Sequence, residues 1–231
     1  MTKDDFTGVE LTLYTYFRSS CSARVRTAAA LKGLAVTPHY VNLLKEEQSA
    51  PTYTSNVNPC GTVPSLVAGF PDGSQATIRQ SVAILEFFEE AFPDKRPLLP
   101  GVERPLQRAV VRDIVSIITG DVQPKTNSSV LHRMRTLGIE SADWCKEIMV
   151  PGIRAVEAIL QTSAGKHSVG DDITLADVVI APAYEAALRW GVDLTQFEAV
   201  THAYNACKDL PEFVAADWKH QADTPEQFRA V

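Results

Sequence analysis

The sequence predicts an α+β domain followed by an all-α domain, and three observations carry this. Strand-like and helix-like runs alternate from Leu11 to about Phe92. Pro93, Pro97, Pro100 and Pro105, with Gly101 among them, then prevent a continuous helix. Beyond them the apolar spacing is helical throughout. The boundaries that follow are 9–93 for the first domain, 94–104 for a linker and 105–231 for the second domain. A chain of 231 residues is long enough for either one large core or two modest ones.

In chain order, Leu11-Thr12-Leu13-Tyr14-Thr15-Tyr16 alternates bulky and β-branched side chains and predicts a first strand. Ala23 to Lys32, rich in Ala, Leu and Arg, predicts a helix that stops at Gly33. Val36 to Leu43 reads as a second strand. Pro64 to Ala68 and Ala76 to Ile78 read as the third and fourth, with Pro71-Asp72-Gly73 as the turn between them. A helix from Ser81 follows, with Val82, Leu85, Phe88 and Phe92 as its apolar stripe. In the second half, Leu106, Val110, Ile114 and Ile117 form one helical stripe, and Val156, Ile159 and Leu160 belong to another. In Ile173-Thr174-Leu175-Ala176-Asp177-Val178, Thr174 can cap the N–H three residues on and Asp177 can reach back. With Ile173 packing on Val178 this is a capping box plus a hydrophobic staple, a folding signal.

Composition excludes several function classes. The formal net charge is −6, so no basic field invites nucleic acid. Cys21, Cys60, Cys145 and Cys207 lie far apart with no C-x-x-C pair, which argues against a disulfide framework and a dithiol redox motif. Met1 to Gly8 is acidic and polar, unlike a secretory signal, and no run of 18 apolar residues occurs. A cytoplasmic, reducing setting is expected. The histidines (His39, His132, His167, His202, His220) show no metal-ligand spacing, so no metal site is expected.

Three places carry chemistry. Ser19-Ser20-Cys21-Ser22 falls where the first strand has ended and the first helix begins. Unpaired N–H groups and the positive end of the helix dipole converge there and favour a thiolate or another anion. A second reading stays open: Ser20 or Ser22 simply caps the helix. Val63-Pro64 opens the third strand, a position where proline is tolerated. On base rates its bond is trans, because only about 5–6% of X–Pro bonds in folded proteins are cis. Gln80-Ser81 opens the next helix, either as a cap or as a cradle for a carboxylate.

The run Tyr16-Phe17-Arg18-Ser19-Ser20-Cys21-Ser22, continuing through Arg24-Val25-Arg26 and Leu31-Lys32-Gly33, resembles the signature of zeta-class glutathione transferases, the class that includes maleylacetoacetate isomerase. Nearly the whole chain shares the likeness: Asn58-Pro59 ahead of Val63-Pro64, Gln80-Ser81, Val122-Gln123-Pro124 with Asn127, Val169-Gly170-Asp171, Val192-Asp193-Leu194-Thr195 and Asp223-Thr224-Pro225. The resemblance implies a thioredoxin-like domain binding glutathione, an all-helical domain supplying the other substrate pocket, and a homodimer. It implies that Ser19, Ser20 and Cys21 surround the glutathione sulfur, with Ser19 holding the thiolate. The Val63 backbone, beside a cis Pro64, would pair with the cysteinyl backbone. Gln80 and Ser81 would clamp the γ-glutamyl end, and Gln123, Asn127 and Ser129 would reach the same pocket, with Gln48 a further contact. Arg18 and Arg189 would hold the carboxylates of an acidic substrate, which suits bidentate guanidinium geometry.

The implied activity is glutathione-dependent cis–trans isomerisation of 4-maleylacetoacetate to 4-fumarylacetoacetate in tyrosine and phenylalanine breakdown, with transferase side activity on α-halo acids. Maleylpyruvate isomerase and a broad detoxifying transferase are the alternatives on the same fold; a non-catalytic binding domain is a third. The chain departs from the family pattern at Ala23, often bulky there, in a longer Ala68 to Thr77 hairpin, in a Lys45 to Ala50 loop one residue short, and at Gly61-Thr62. These touch loops rather than the chemistry.

Overall fold

The structure is a computed structural model that describes residues 6–230. Contacts divide the chain into two compact units, one of residues 1–97 with 211–231 and the other of residues 98–210.

The first unit is built on a four-stranded sheet: β1 (Glu10–Thr15), β2 (Val36–Tyr40), β3 (Ser65–Gly69) and β4 (Gln75–Arg79), in the order β2-β1-β3-β4. β1 and β2 pair in parallel, joined by α1 (Ser20–Lys32), whereas β1–β3 and β3–β4 are antiparallel. Alternation along β1 buries Leu11, Leu13 and Thr15 and leaves Thr12 and Tyr14 half-buried. α1 ends at Gly33, whose φ of 64° closes the helix by donating to the carbonyls of Ala29 and Ala30. A short α2 (Pro51–Asn56), unread in the sequence, follows two single 3₁₀ turns. Its Tyr53 packs with Val41 and Val57, and Val63 lies against that cluster. α3 (Ser81–Ala91) buries Ser81, Ile84, Leu85 and Phe88. The expected stripe is therefore right at Leu85 and Phe88, but Ile84 rather than Val82 fills the core.

α1 packs on α3 and, from the far end of the chain, on α9 (Pro211–Ala216). Nε and Nη2 of Arg26 donate to the Ala216 carbonyl, and the same guanidinium reaches Thr15 Oγ1 and the carbonyls of Tyr16 and Phe17. Asp223 accepts from the Phe17 N–H at 2.8 Å. These long-range bonds group residues 211–230 with the first unit, whereas the sequence placed everything from 105 onward in the second. Within the expected linker 94–104, Leu98 and Leu99 are buried, and the Leu98 carbonyl accepts from the Leu175 N–H.

Lys32, at the end of α1, is 1% exposed at its side chain and sits 2.8 Å from Glu89 of α3. It also donates to the Arg96 carbonyl. Removing one partner of such a pair strands the other charge, so Glu89→Ala should lower unfolding free energy by roughly 3–5 kcal/mol, read from urea denaturation. A change within the error of that measurement would contradict the assignment.

The second unit is helical: α4 (Pro105–Ser116), α5 (Ser128–Thr136), α6 (Ser141–Ser163), α7 (Leu175–Arg189) and α8 (Glu198–Cys207). A π turn (Ile117–Val122) and a 3₁₀ turn (Gln123–Thr126) link α4 to α5. Along α4 the buried residues are Val111, Ile114, Val115 and then Ile118, while Leu106 is 82% exposed. The inward face is thus rotated by one residue from the expected stripe, because Val110-Val111 and Ile117-Ile118 each offer two apolar choices. In α6, Met149, Ile153, Val156 and Leu160 keep one face. The capping box at α7 is present in both directions: Thr174 caps the first turn, and Asp177 Oδ2 accepts from the Thr174 N–H at 2.8 Å. Among the described residues no helix is long and apolar enough to cross a membrane.

Candidate functional site

The α1 N-terminus begins three residues earlier than the Ala-rich run suggested, and its cap is Ser19, not Ser20 or Ser22. Ser19 has extended backbone (φ −74°, ψ 114°), and its Oγ accepts from the Ser22 N–H at 3.1 Å. That acceptor role leaves the Ser19 hydroxyl proton free to donate outward. Ser20 and Cys21 form the first turn and are half-buried. Ser22 is fully buried, and its hydroxyl has no protein partner.

Across from this turn lies the start of α3. Gln80 is exposed and holds φ +73°, a left-handed conformation unusual for a residue with a side chain, and Ser81 opens the helix at 7% exposure. The two places are joined directly. Nη1 of Arg24 donates to Ser81 Oγ at 3.2 Å and to Cys21 Sγ at 3.7 Å. The Val63–Pro64 bond is cis, against the base-rate expectation. Proline's trans preference is only about 0.5–1 kcal/mol, small enough for local contacts to decide. Here the Thr62 carbonyl is fixed by the Tyr53 hydroxyl and the Asn58 amide, each at 2.8 Å. Gln48 sits in the second 3₁₀ turn, and its buried Oε1 has no protein partner.

Arg18 is half-buried with its guanidinium 5.7 Å from the Phe17 ring centre. Burial pushes the Tyr16 phenol above its ordinary pKa, with the Arg18 charge opposing this and Asp223 adding to it. A cavity of about 240 Å³ beside these residues is lined by Tyr16, Phe17, Asn42, Glu47 and Asp223 among others. Burial also raises the Asp223 carboxyl, which the Phe17 N–H and Arg26 partly offset.

In the second unit, Gln123 opens the 3₁₀ turn before α5. Asn127 is the cap of α5: its Oδ1 accepts from the Val130 N–H at 3.0 Å and from the Ser129 hydroxyl at 2.7 Å. Arg189 is exposed at the end of α7, 5.9 Å from the Trp190 ring centre.

Two features escaped sequence reading. Arg24 is 1% exposed, though an arginine on a helix reads as solvent-facing. His167, Asp177 and Cys207 place their ligand atoms within 4.8 Å of one another, from positions whose spacing gave no signal. Asp177 there already accepts four hydrogen bonds, from the N–H and hydroxyl of both Ser168 and Thr174. Its lone pairs are filled, which makes the trio packing rather than a coordination site.

Thiol accessibility divides the cysteines. Cys60 is exposed and Cys21 half-buried, whereas Cys145 and Cys207 are buried, and desolvation pushes the Cys145 thiol up to about 11. Since the thiolate is the reactive form, a disulfide reagent at pH 8 should titrate two thiols in the native protein and four after unfolding. Four fast thiols in the native state would contradict this burial.

A sheet of order β2-β1-β3-β4 with a parallel crossover, a hydroxyl-rich helix N-terminus at the end of β1 and a cis-proline strand start define a thioredoxin-like domain of the transferase type. The model described as "Glutathione S-transferase, N-terminal domain" matches residues 18–91. The maleylacetoacetate isomerase of Emericella nidulans is 47% identical over 96% of this chain and 97% of its own length. Among solved structures, maleylacetoacetate isomerase from Anaeromyxobacter dehalogenans 2CP-1 with bound GSH superimposes with a TM-score of 0.84 at 35% identity, covering 94% of this chain and 99% of that one. A maleyl pyruvate isomerase, described as a bacterial zeta-class glutathione transferase, gives 0.84 at 33% identity over 93% and 100% of the two chains. The chain belongs to the glutathione S-transferase family, within the group of maleylacetoacetate isomerases and zeta-class enzymes.

Proposed function

We propose that the chain is a glutathione-dependent cis–trans isomerase converting 4-maleylacetoacetate to 4-fumarylacetoacetate, with glutathione transferase activity. The observation that carries this is the Ser19-Ser20-Cys21 turn, capped by Ser19 and tied by Arg24 to Ser81, in a chain 47% identical to a maleylacetoacetate isomerase. The residues fit glutathione. Buried polar atoms without protein partners (Ser22 Oγ, Arg24 Nε, Gln48 Oε1) occur on the very elements that would meet it.

When bound, glutathione supplies a sulfur nucleophile that makes the substrate double bond temporarily single and is regenerated. The protein's part is electrostatic. Ser19 donates its hydroxyl proton toward the sulfur, supported by the unpaired N–H groups of the α1 first turn. Cys21 and Ser20 line the same turn. Ser81 and the start of α3 hold the γ-glutamyl carboxylate, and the Val63 backbone receives the cysteinyl segment. Arg18 and Arg189 are assigned to substrate carboxylates; the roles of Arg189, Gln123, Asn127 and Ser129 rest on the resemblance. A homodimer, a cytoplasmic setting, turnover of α-halo acids and a place in tyrosine and phenylalanine breakdown belong to the same reading, as does a functional division at residues 94–104.

The test follows isomerisation of maleylacetone with and without glutathione. Fast conversion that requires glutathione and leaves its concentration unchanged supports the proposal. Faster conversion of maleylpyruvate would favour the alternative isomerase, consistent with the 0.84 match to that enzyme. Consumption of glutathione on halo acids without isomerisation would overturn both.

A further inference from the structure

We propose that Arg24 is a positioning residue whose buried charge, unmatched by any carboxylate among the described residues, holds Ser81 and Cys21 ready for two anionic groups of glutathione, the γ-glutamyl carboxylate and the cysteinyl thiolate. This rests on the glutathione reading above.

α1 carries two buried cations with different surroundings. Lys32 has Glu89 at 2.8 Å. Arg24 is equally buried, yet its hydrogen-bond acceptors are Ser81 Oγ and Cys21 Sγ, and its Nε has no partner. A buried cation without a counter-charge is strongly unfavourable. The unliganded protein therefore stores an unbalanced charge that an incoming anion would relieve.

Geometry says which anion. A guanidinium only donates, so Ser81 Oγ must accept from Arg24, and the Ser81 hydroxyl proton then points to another acceptor. Ser81 stands at the first position of α3, where backbone N–H groups are also unpaired. A carboxylate suits that place. Three residues before Arg24 on the same helix face, Cys21 takes the second Nη1 contact, at the turn where Ser19 offers its hydroxyl to a thiolate. One side chain thus touches both a carboxylate-type and a thiolate-type position. A molecule carrying both groups on adjacent residues, as glutathione does in its γ-glutamyl carboxylate and central cysteinyl thiolate, gains from a single buried charge twice.

The experiment compares the full-length protein with Arg24→Met and Arg24→Lys, measuring the melting temperature without ligand and the Kd for glutathione and for S-methylglutathione by calorimetry. Methionine keeps the apolar stem and removes the stranded charge. Arg24→Met should melt no lower than the parent without ligand, while its Kd for glutathione rises about ten- to a hundredfold, as expected for lost hydrogen bonds to charged groups. S-methylglutathione, which keeps the γ-glutamyl carboxylate but not the thiol, should lose affinity by a smaller factor. Lysine, restoring charge without the fork, should recover part of the loss. An unchanged Kd in Arg24→Met, or an unliganded melting point lowered by several degrees, overturns the proposal and makes Arg24 a structural residue. Failure of the parent protein to bind glutathione would instead overturn the reading on which it rests.

Discussion

Ser19→Ala is expected to lower isomerase turnover by about a hundredfold, the scale seen when one donor is removed from a preorganised anion site. The substitution has two separable consequences, because Ser19 does two things. Its Oγ accepts from the Ser22 N–H and so caps α1. Loss of a cap costs about 1 kcal/mol of stability. Its hydroxyl proton, not engaged by the cap, is the donor proposed for the glutathione sulfur, and losing that donor should appear in kcat. Ser19→Asp separates the two, since an ionised aspartate caps a helix as well as serine but can only accept a hydrogen bond. The expected pattern is a melting temperature restored in Ser19→Asp with turnover still low. Full turnover in Ser19→Ala would falsify the role given to Ser19, and recovery of turnover together with stability in Ser19→Asp would reduce it to a cap.

Asp177→Ala should be the most destabilising single change in the second unit. The carboxylate is 2% exposed and gathers the Ser168 N–H at 2.9 Å, the Ser168 hydroxyl at 2.6 Å, the Thr174 N–H at 2.8 Å and the Thr174 hydroxyl at 3.1 Å. Alanine leaves two backbone N–H groups buried without acceptors, each a loss of about 1–3 kcal/mol. A total of roughly 3–5 kcal/mol would lower the melting temperature by roughly 10 °C at this chain length. Asp177→Asn keeps one acceptor oxygen and should fall between. A shift of only a degree or two in Asp177→Ala would mean that water enters and replaces the carboxylate. The first unit's glutathione affinity should be untouched in any surviving folded protein, which distinguishes this effect from the Ser19 and Arg24 substitutions.

Local patterns were legible in the sequence where one signal dominated. β1 and α3 begin within a residue of their expected positions, because strand alternation and an N-terminal serine mark them. The capping box at Thr174 is as read. Where two signals competed, the reading slipped. The Ala-rich run predicts helix from Ala23, whereas the cap at Ser19 brings the weaker helix formers Ser20, Cys21 and Ser22 into the first turn. On α4 adjacent apolar pairs left the inward face ambiguous by one position. Non-local facts were out of reach altogether. Nothing near Arg24 announces that Ser81, 57 positions on, will be its partner. Nothing in residues 211–230 says they will return to α1 through Ala216 and Asp223.

That return has a consequence for how the chain is made. During synthesis the amino-terminal portion of a protein tends to fold as it emerges. Here β1 to α3 are complete after residue 91, yet the Arg26 guanidinium still lacks one of its acceptors, the Ala216 carbonyl, and the Phe17 N–H lacks Asp223. The turn that positions Ser19 is therefore finished only after all of 98–210 has left the ribosome. A nascent chain stalled within the helical unit would hold every residue of the Ser19–Cys21 turn and still lack the clasp behind it. The clasp is thereby reserved for chains translated past Asp223.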